Sequence, residues 1–232
     1  MGVPLFKELH RAYGFDEVAI VPGRITINPD MTSTEMTIAS HRFDIPVLAS
    51  AMDAVVSPSL ADLMHKKGGL GVLNLEGIYT RYEDPYTVLE EIASAPQSTV
   101  TDVLQRIYSK PIQENLVGSC VEAIKKSGAT CAVAITPQNT KKLSPIAVEA
   151  GVDILTVQST VTTAKHVSKS YKGLVFSKLI EQIKVPVIVG NCVGYSTALE
   201  LMETGISGIL VGVGPGAACT TREVVGVGVP QV

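Results

Sequence analysis

The chain has 232 residues, 46% hydrophobic and 18% charged, which excludes intrinsic disorder, since a disordered chain pairs low hydrophobicity with high charge. Nineteen Lys and Arg against 22 Asp and Glu leave a formal net charge of −3, which argues against a broad nucleic-acid footprint or a polybasic membrane surface but leaves room for a small anion held by backbone amides. The apolar runs are strand-sized and broken by Gly or Pro, well short of the about 20 residues of a spanning helix, and the opening MGVPLFKELHRAYGF has no signal-peptide stretch. The expectation is a soluble, cytoplasmic protein with no nucleic-acid or membrane partner.

In chain order, EVAIVPGR (17–24) and EMTIASHRF (35–43) read as two short strands around turn signals at Pro22-Gly23 and Asn28-Pro29. Six Val-, Ile- and Leu-rich runs follow, at 45–50, 69–74, 130–135, 153–159, 185–191 and 208–213. None alternates with polar residues, as expected of strands buried on both faces of a parallel sheet. Candidate helices lie between them at 57–67, 86–93, 119–126, 140–150, 171–182 and 194–203. Segment 119–127 is amphipathic, with apolar residues at 121, 123 and 124. Gly68, Gly128, Gly151 and Gly205 stand just past four of these helices, where a left-handed C-cap favours glycine.

This helix–glycine–strand phrase, repeated in KKGGLGVL, KKSGATCAVAI, VEAGVDILTV and METGISGILVGV, predicts the α/β class. A doubly wound open sheet and a (β/α)8 TIM-type barrel both accommodate it. The barrel is favoured by six regular units and by polar residues at strand C-terminal ends: Ser50, Asn74, Gln158, Asn191 and the glycines from 212 on. A closed barrel has eight units, and six are legible in the single domain formed by residues 1–232. The expectation is a longer molecule that completes the barrel. Were these residues the entire molecule, two open edge strands would make it a binding or scaffold module without turnover.

Cys120, Cys131, Cys192 and Cys219 form no C-x-x-C pair, and His10, His41, His65 and His166 are scattered, so neither a disulfide framework nor a zinc site is expected. Cys120, placed at a helix start, and Cys131, in an apolar strand, read as inert core thiols, and Cys192 lies at a strand end. Cys219 differs. It falls in VGVGPGAACTTREVVGVGVPQ (211–231), with glycine at 212, 214 and 216 and then Cys219-Thr220-Thr221-Arg222. Such a loop lets successive backbone groups face one ligand at close range. A partly exposed thiol beside hydroxyls and an arginine has a lowered pKa and can act as a nucleophile. A structural turn around a small buried cysteine is the alternative. GVGPGA also fits a loose dinucleotide fingerprint, but Pro215 and a TTR turn follow it instead of a long helix.

This loop closely resembles the signature loop of the IMP dehydrogenase and GMP reductase family. IPVLASAMDAV (45–55) resembles the family's first barrel strand with its Ser-x-Met-Asp nucleotide contact, KKGGLGVLN its second strand, and VPVIVGNCV its Gly-Asn strand. The resemblance covers nearly the whole chain and implies a (β/α)8 barrel, commonly a homotetramer. Only residues 76–113 separate the second strand from the next helix, too few for the CBS regulatory domains that many members insert, so the resemblance is to the short branch. It implies that the Cys219 thiolate attacks C2 of IMP, that hydride passes to NAD, and that water releases XMP from a covalent thioimidate. GMP reductase, with NADPH and the reverse redox sense, is the sister alternative, and the GVGVPQ ending (226–231) looks more like the dehydrogenase.

Carried over by motif, Ser50, Met52 and Asn191, with Gly216 and Ala217 of the loop, would contact the nucleotide. Gln158, Ser159, Gly212 and Gly214 would face the cofactor, and Thr221 would stand by the reacting purine. Carbonyls of Gly214, Gly216 and Cys219 would supply part of a potassium site. Three positions depart from the family pattern: Ala217 for a phosphate-holding Ser, Leu210 for a basic residue, and Gln158 for an Asp that orients the dinucleotide. These bear on ligand affinity, not on the nucleophile. The family takes further phosphate contacts from the loops after strands seven and eight, and an Arg-containing flap from beyond the position of Val232.

Overall fold

A computed structural model describes residues 11–169, 173–216 and 219–232. The first pairing is a hairpin of β1 (Met36–Ile38) and β2 (His41–Phe43), with Met36 opposite Phe43 and Ile38 opposite His41. Its two-residue loop holds Ala39 at φ 52. Both strands therefore come from within 35–43, which corrects the expected pairing of 17–24 with 35–43. EVAIVPGR forms no strand, and Ile20 is 98% and Val21 84% exposed. A tight turn brings Ile38 and Phe43 to the same buried side, whereas Pro22 removes a ladder donor just past the other run.

Six strands follow: β3 (Leu48–Ala49), β4 (Leu70–Asn74), β5 (Ala132–Ile135), β6 (Ile154–Gln158), β7 (Val187–Cys192) and β8 (Gly208–Val211). They form one parallel sheet in the order β3-β4-β5-β6-β7-β8. A doubly wound sheet reverses its strand order. This one never does, and it curls into a half-barrel. Alternate strand residues separate into two layers, as the two-residue period demands. Leu70, Val72, Ala132, Ala134, Ile154 and Ile188 fill the concave side together with Ile38 and Phe43 of the hairpin. Leu73, Val133, Leu155, Val157 and Val189 share the outer layer with Val121, Ile124, Leu143 and Leu201 of the helices. Burial on both faces is why no strand alternates.

The helices are α1 (Pro58–Lys66), α2 (Pro85–Ser94), α3 (Val100–Ser109), α4 (Glu114–Lys126), α5 (Thr140–Glu149), α6 (Phe176–Gln182), α7 (Tyr195–Met202) and α8 (Thr221–Val225). The Ser57 hydroxyl accepts from Leu60 N at 3.0 Å and the Asp84 carboxylate from Thr87 N at 3.2 Å, each ahead of a proline at the first helical position. The four expected C-cap glycines all adopt left-handed φ, at 79, 84, 92 and 88°.

Three details differ from the expected elements. α3 has no counterpart among them: it packs on α2 rather than on the sheet, through Val88, Val103 and Ile107, so it fills 76–113 as a helical hairpin. α4 begins at Glu114, which puts Cys120 in mid-helix rather than at a helix start. The TTR turn is the opening of α8. The start of the expected helix 171–182 lies partly outside the described residues. Among the described residues no helix is long and apolar enough to cross a membrane.

Chemical denaturation tests this layering. Leu155→Ala empties a fully buried site between sheet and helices and is expected to cost about 2–5 kcal/mol. Ile20→Ala, on the exposed N-terminal segment, is expected to stay within about 0.5 kcal/mol of the parent.

Candidate functional site

The C-terminal strand ends form one rim. Ser50, Gln158 and Asn191 come together there, with Thr156, Ile188 and Leu210, around a cavity of roughly 270 Å³. A second cavity of roughly 340 Å³ lies beyond β6 and is lined by Glu76, Asn139, Ser159, Thr162 and His166. Gln158 and Ser159, adjacent in sequence, thus serve different cavities. Met52 does not line either one and is 54% exposed. Ala217 lies outside the described residues.

The rim is held by hydrogen bonds between successive loops. Asp53, just after β3, accepts from Ile78 N at 3.0 Å, from Asn74 Nδ2 at 3.3 Å and from the Tyr108 hydroxyl. This ties the Ser50-Met52 segment to β4 and α3. A Cβ on Gly77 would sit 1.7 Å from Asp53 Oδ1, so the contact requires glycine. Burial, then the Asp53 contact, push the Tyr108 hydroxyl pKa up. Glu76, after β4, accepts from Thr136 N and from Asn139 Nδ2 at 2.6 Å, joining β4 to the end of β5.

The next pair is joined twice over. Ser159 N donates to Gly190 O at 2.9 Å and Asn191 N to Ser159 O at 3.0 Å. Thr162 N donates to Asn191 O at 2.8 Å, while its hydroxyl donates to Gly190 O at 2.7 Å. Asn191 is thereby fixed by the loop after β6. Neither Asp53 in this bridging role nor the buried Thr162 was singled out by sequence reasoning. A hydroxyl cluster right after a strand (Ser159, Thr160, Thr162, Thr163) was the only signal for Thr162.

The cysteine loop folds back on itself. Gly212 N donates to Cys192 O at 2.8 Å, and Val213, 3% exposed, pairs with Val229. Gly228 at φ 147 lets the chain pass where a Cβ would stand 2.6 Å from Arg222 Cγ and 2.8 Å from Val213 O. Inside this fold Cys219 is part-exposed, with Sγ 3.2 Å from Thr221 Oγ1. The Thr221 hydroxyl, its backbone N–H and the Arg222 charge hold the Cys219 pKa below the ordinary thiol value. Burial acts oppositely on the other three, pushing Cys120 up to about 11, Cys131 up to about 12 and Cys192 upward. Cys219 thus differs from the other three in being part-exposed with a lowered pKa. Among the described residues no group of three or more His, Cys, Asp and Glu is placed to hold a metal ion.

A curled parallel half-barrel of six strands, with a glycine-rich cysteine loop after the last of them, defines a TIM-barrel type of α/β protein. Residues 12–232 match the model of the IMP dehydrogenase / GMP reductase domain, and the chain belongs to that family. It is 38% identical over 231 residues to an uncharacterized oxidoreductase of Mycobacterium tuberculosis, covering 97% of this chain and 62% of that protein. It is 28% identical to the inosine-5'-monophosphate dehydrogenase of Cryptosporidium parvum, covering 97% and 57%. A crystal structure of an IMP dehydrogenase/GMP reductase-like protein from Corynebacterium glutamicum superposes with a TM-score of 0.88 at 32% identity, covering 99% of this chain and 60% of that one. The chain therefore spans about three fifths of the length of these relatives.

Alkylation kinetics followed by peptide mass spectrometry test the thiol assignment. Cys219 is expected to label first at neutral pH, with Cys120 and Cys131 protected. Thr221→Val removes a group that stabilises the thiolate, so it is expected to move the rate–pH profile of Cys219 to higher pH; an unchanged profile would contradict the assignment.

Proposed function

We propose that the protein is an oxidoreductase that converts IMP to XMP with NAD+ through covalent catalysis by Cys219. One observation carries this reading: Cys219, part-exposed and with a lowered pKa, lies in the loop after β8, the strand whose Leu210 and Val211 line the cavity with Ser50, Gln158 and Asn191. In this reading the thiolate adds to C2 of the purine. Loss of hydride from C2 leaves a thioimidate on Sγ, and water then releases XMP and the free thiol. Ser50 and Asn191 hold the nucleotide over the barrel mouth, each fixed by its neighbouring loop. The Thr221 hydroxyl and N–H favour the Cys219 thiolate before attack and stabilise it again as a leaving group.

In this reading a dinucleotide would be held at the end of β6 by the Gln158 amide in one cavity and the Ser159 and Thr162 hydroxyls in the other, where the Glu76 carboxylate would accept from a sugar hydroxyl. Bound NAD+ supplies the hydride acceptor. Potassium would be held by backbone carbonyls of the cysteine loop. The Gly216 carbonyl accepts from Cys219 N at 3.1 Å, and its second lone pair remains for an ion beside the carbonyls of Gly214 and Cys219. A homotetramer is part of the same proposal.

The test follows absorbance at the nicotinamide band with each nucleotide and cofactor pair. Reduction of NAD+ dependent on IMP supports the proposal, and oxidation of NADPH dependent on GMP reverses its direction. Cys219→Ala is expected to abolish activity, while Cys120→Ala leaves it largely intact. No turnover with either pair would leave a nucleotide-binding or scaffold role in place of the enzyme.

A further inference from the structure

Thr156 lies in the middle of β6 and is 3% exposed. Its neighbours Leu155 and Val157 face the helices, while Ile154, two residues before it, belongs to the concave layer. Its side chain therefore faces the barrel interior, where it lines the roughly 270 Å³ cavity with Ser50, Gln158 and Asn191. The Thr156 hydroxyl is buried and makes no hydrogen bond among the described residues. Every other residue from 154 to 157 is Ile, Leu or Val, and valine has the same branched shape as threonine. A buried hydroxyl without a partner is destabilising relative to an apolar group of equal shape. Thr156 therefore destabilises the ligand-free protein, and a group entering the cavity can offset that cost.

We infer that Thr156 is a specificity-determining contact, whose hydroxyl reads a polar edge of a planar heteroaromatic ring seated in this cavity. The inference rests on the reading of the rim as a nucleotide site. Thr156 and Gln158 share one face of β6, about 7 Å apart, so a hydroxyl and a primary amide stand in line along the wall. Val72, Ile188 and Leu210 supply flat apolar surface around them. The volume sits just below the about 300–1,000 Å³ typical of small-molecule pockets, which suits a ring and not a whole nucleotide. The matching chemistry is a ring with adjacent carbonyl and N–H groups. Both the 6-oxopurine of IMP or GMP and the carboxamide-bearing ring of a nicotinamide cofactor carry it.

The test is Thr156→Val, with Thr156→Ser as the variant that keeps the hydroxyl. Thermal unfolding is measured without ligand, and affinity is measured calorimetrically for IMP, GMP, NAD+ and NADPH separately. Thr156→Val is expected to raise the ligand-free Tm by about 2–4 °C or more and to weaken binding of at least one ligand about tenfold. Thr156→Ser is expected to retain that affinity. Whether nucleotides or cofactors lose affinity identifies which ring occupies the cavity. A Tm that stays or falls in Thr156→Val, or four unchanged affinities, overturns the inference and makes the hydroxyl a water-held structural group. The binding readout needs no turnover. If Cys219→Ala keeps activity, the covalent route fails while this inference stands; if the parent protein binds none of the four ligands, both fail.

Discussion

Parallel pairing in unbroken chain order is the constraint on which the rest of this molecule depends. Each strand from β4 to β8 hydrogen-bonds to the one before it and runs the same way, so all six deliver their C-terminal residues to one rim. Two apolar layers hold this arrangement, one on the concave side and one beneath the helices. Because both faces are buried, polar side chains gather mainly at the strand ends and the loops that leave them. Polar side chains far apart in sequence, such as Ser50, Gln158 and Asn191, meet only because of that pairing.

The rim is rigidified by local bonds from loop to loop. Asp53 reaches from β3 to β4 and α3, Glu76 from β4 to β5, and Ser159 with Thr162 from β6 to β7. The Asp53 and Glu76 carboxylates and the Ser159 carbonyl accept from backbone N–H groups, and the Thr162 hydroxyl donates to the Gly190 carbonyl, so strand ends keep partners beyond the ladder. The cysteine loop continues the series, with Gly212 N on Cys192 O and Val213 against Val229. Four cysteines of one chain then acquire different chemistry from place alone. Three are pushed up by burial, and Cys219 is held down by Thr221 and Arg222.

The parts legible in the sequence were those with a strong local cause. Two-faced burial leaves uninterrupted Val, Ile and Leu runs, and left-handed helix ends select glycine, so the six strands and their caps could be read directly. Helix α3 was equally legible, with Val100, Val103, Leu104 and Ile107 at helical spacing, but it has no strand after it, since it packs on α2, and so falls outside the helix–glycine–strand phrase. The β1–β2 hairpin was misplaced because two runs compete for one partner, and only the tight turn at Ala39-Ser40 decides between them. At the site, the reactive loop was visible as glycine spacing around Cys219. Asp53, Thr162 and Thr156 matter through what the fold brings to them, and no spacing along the chain reveals that.

The proposed chemistry depends on a covalent bond between the Cys219 thiolate and a purine nucleotide. The direct measurement is acid quenching of the protein mixed with IMP and NAD+, followed by digestion and mass spectrometry of the four cysteine peptides. The account predicts a nucleotide adduct on the Cys219 peptide alone, lost when Cys219 is replaced by alanine. Turnover with no adduct on Cys219, or an adduct carried by another cysteine, would contradict it.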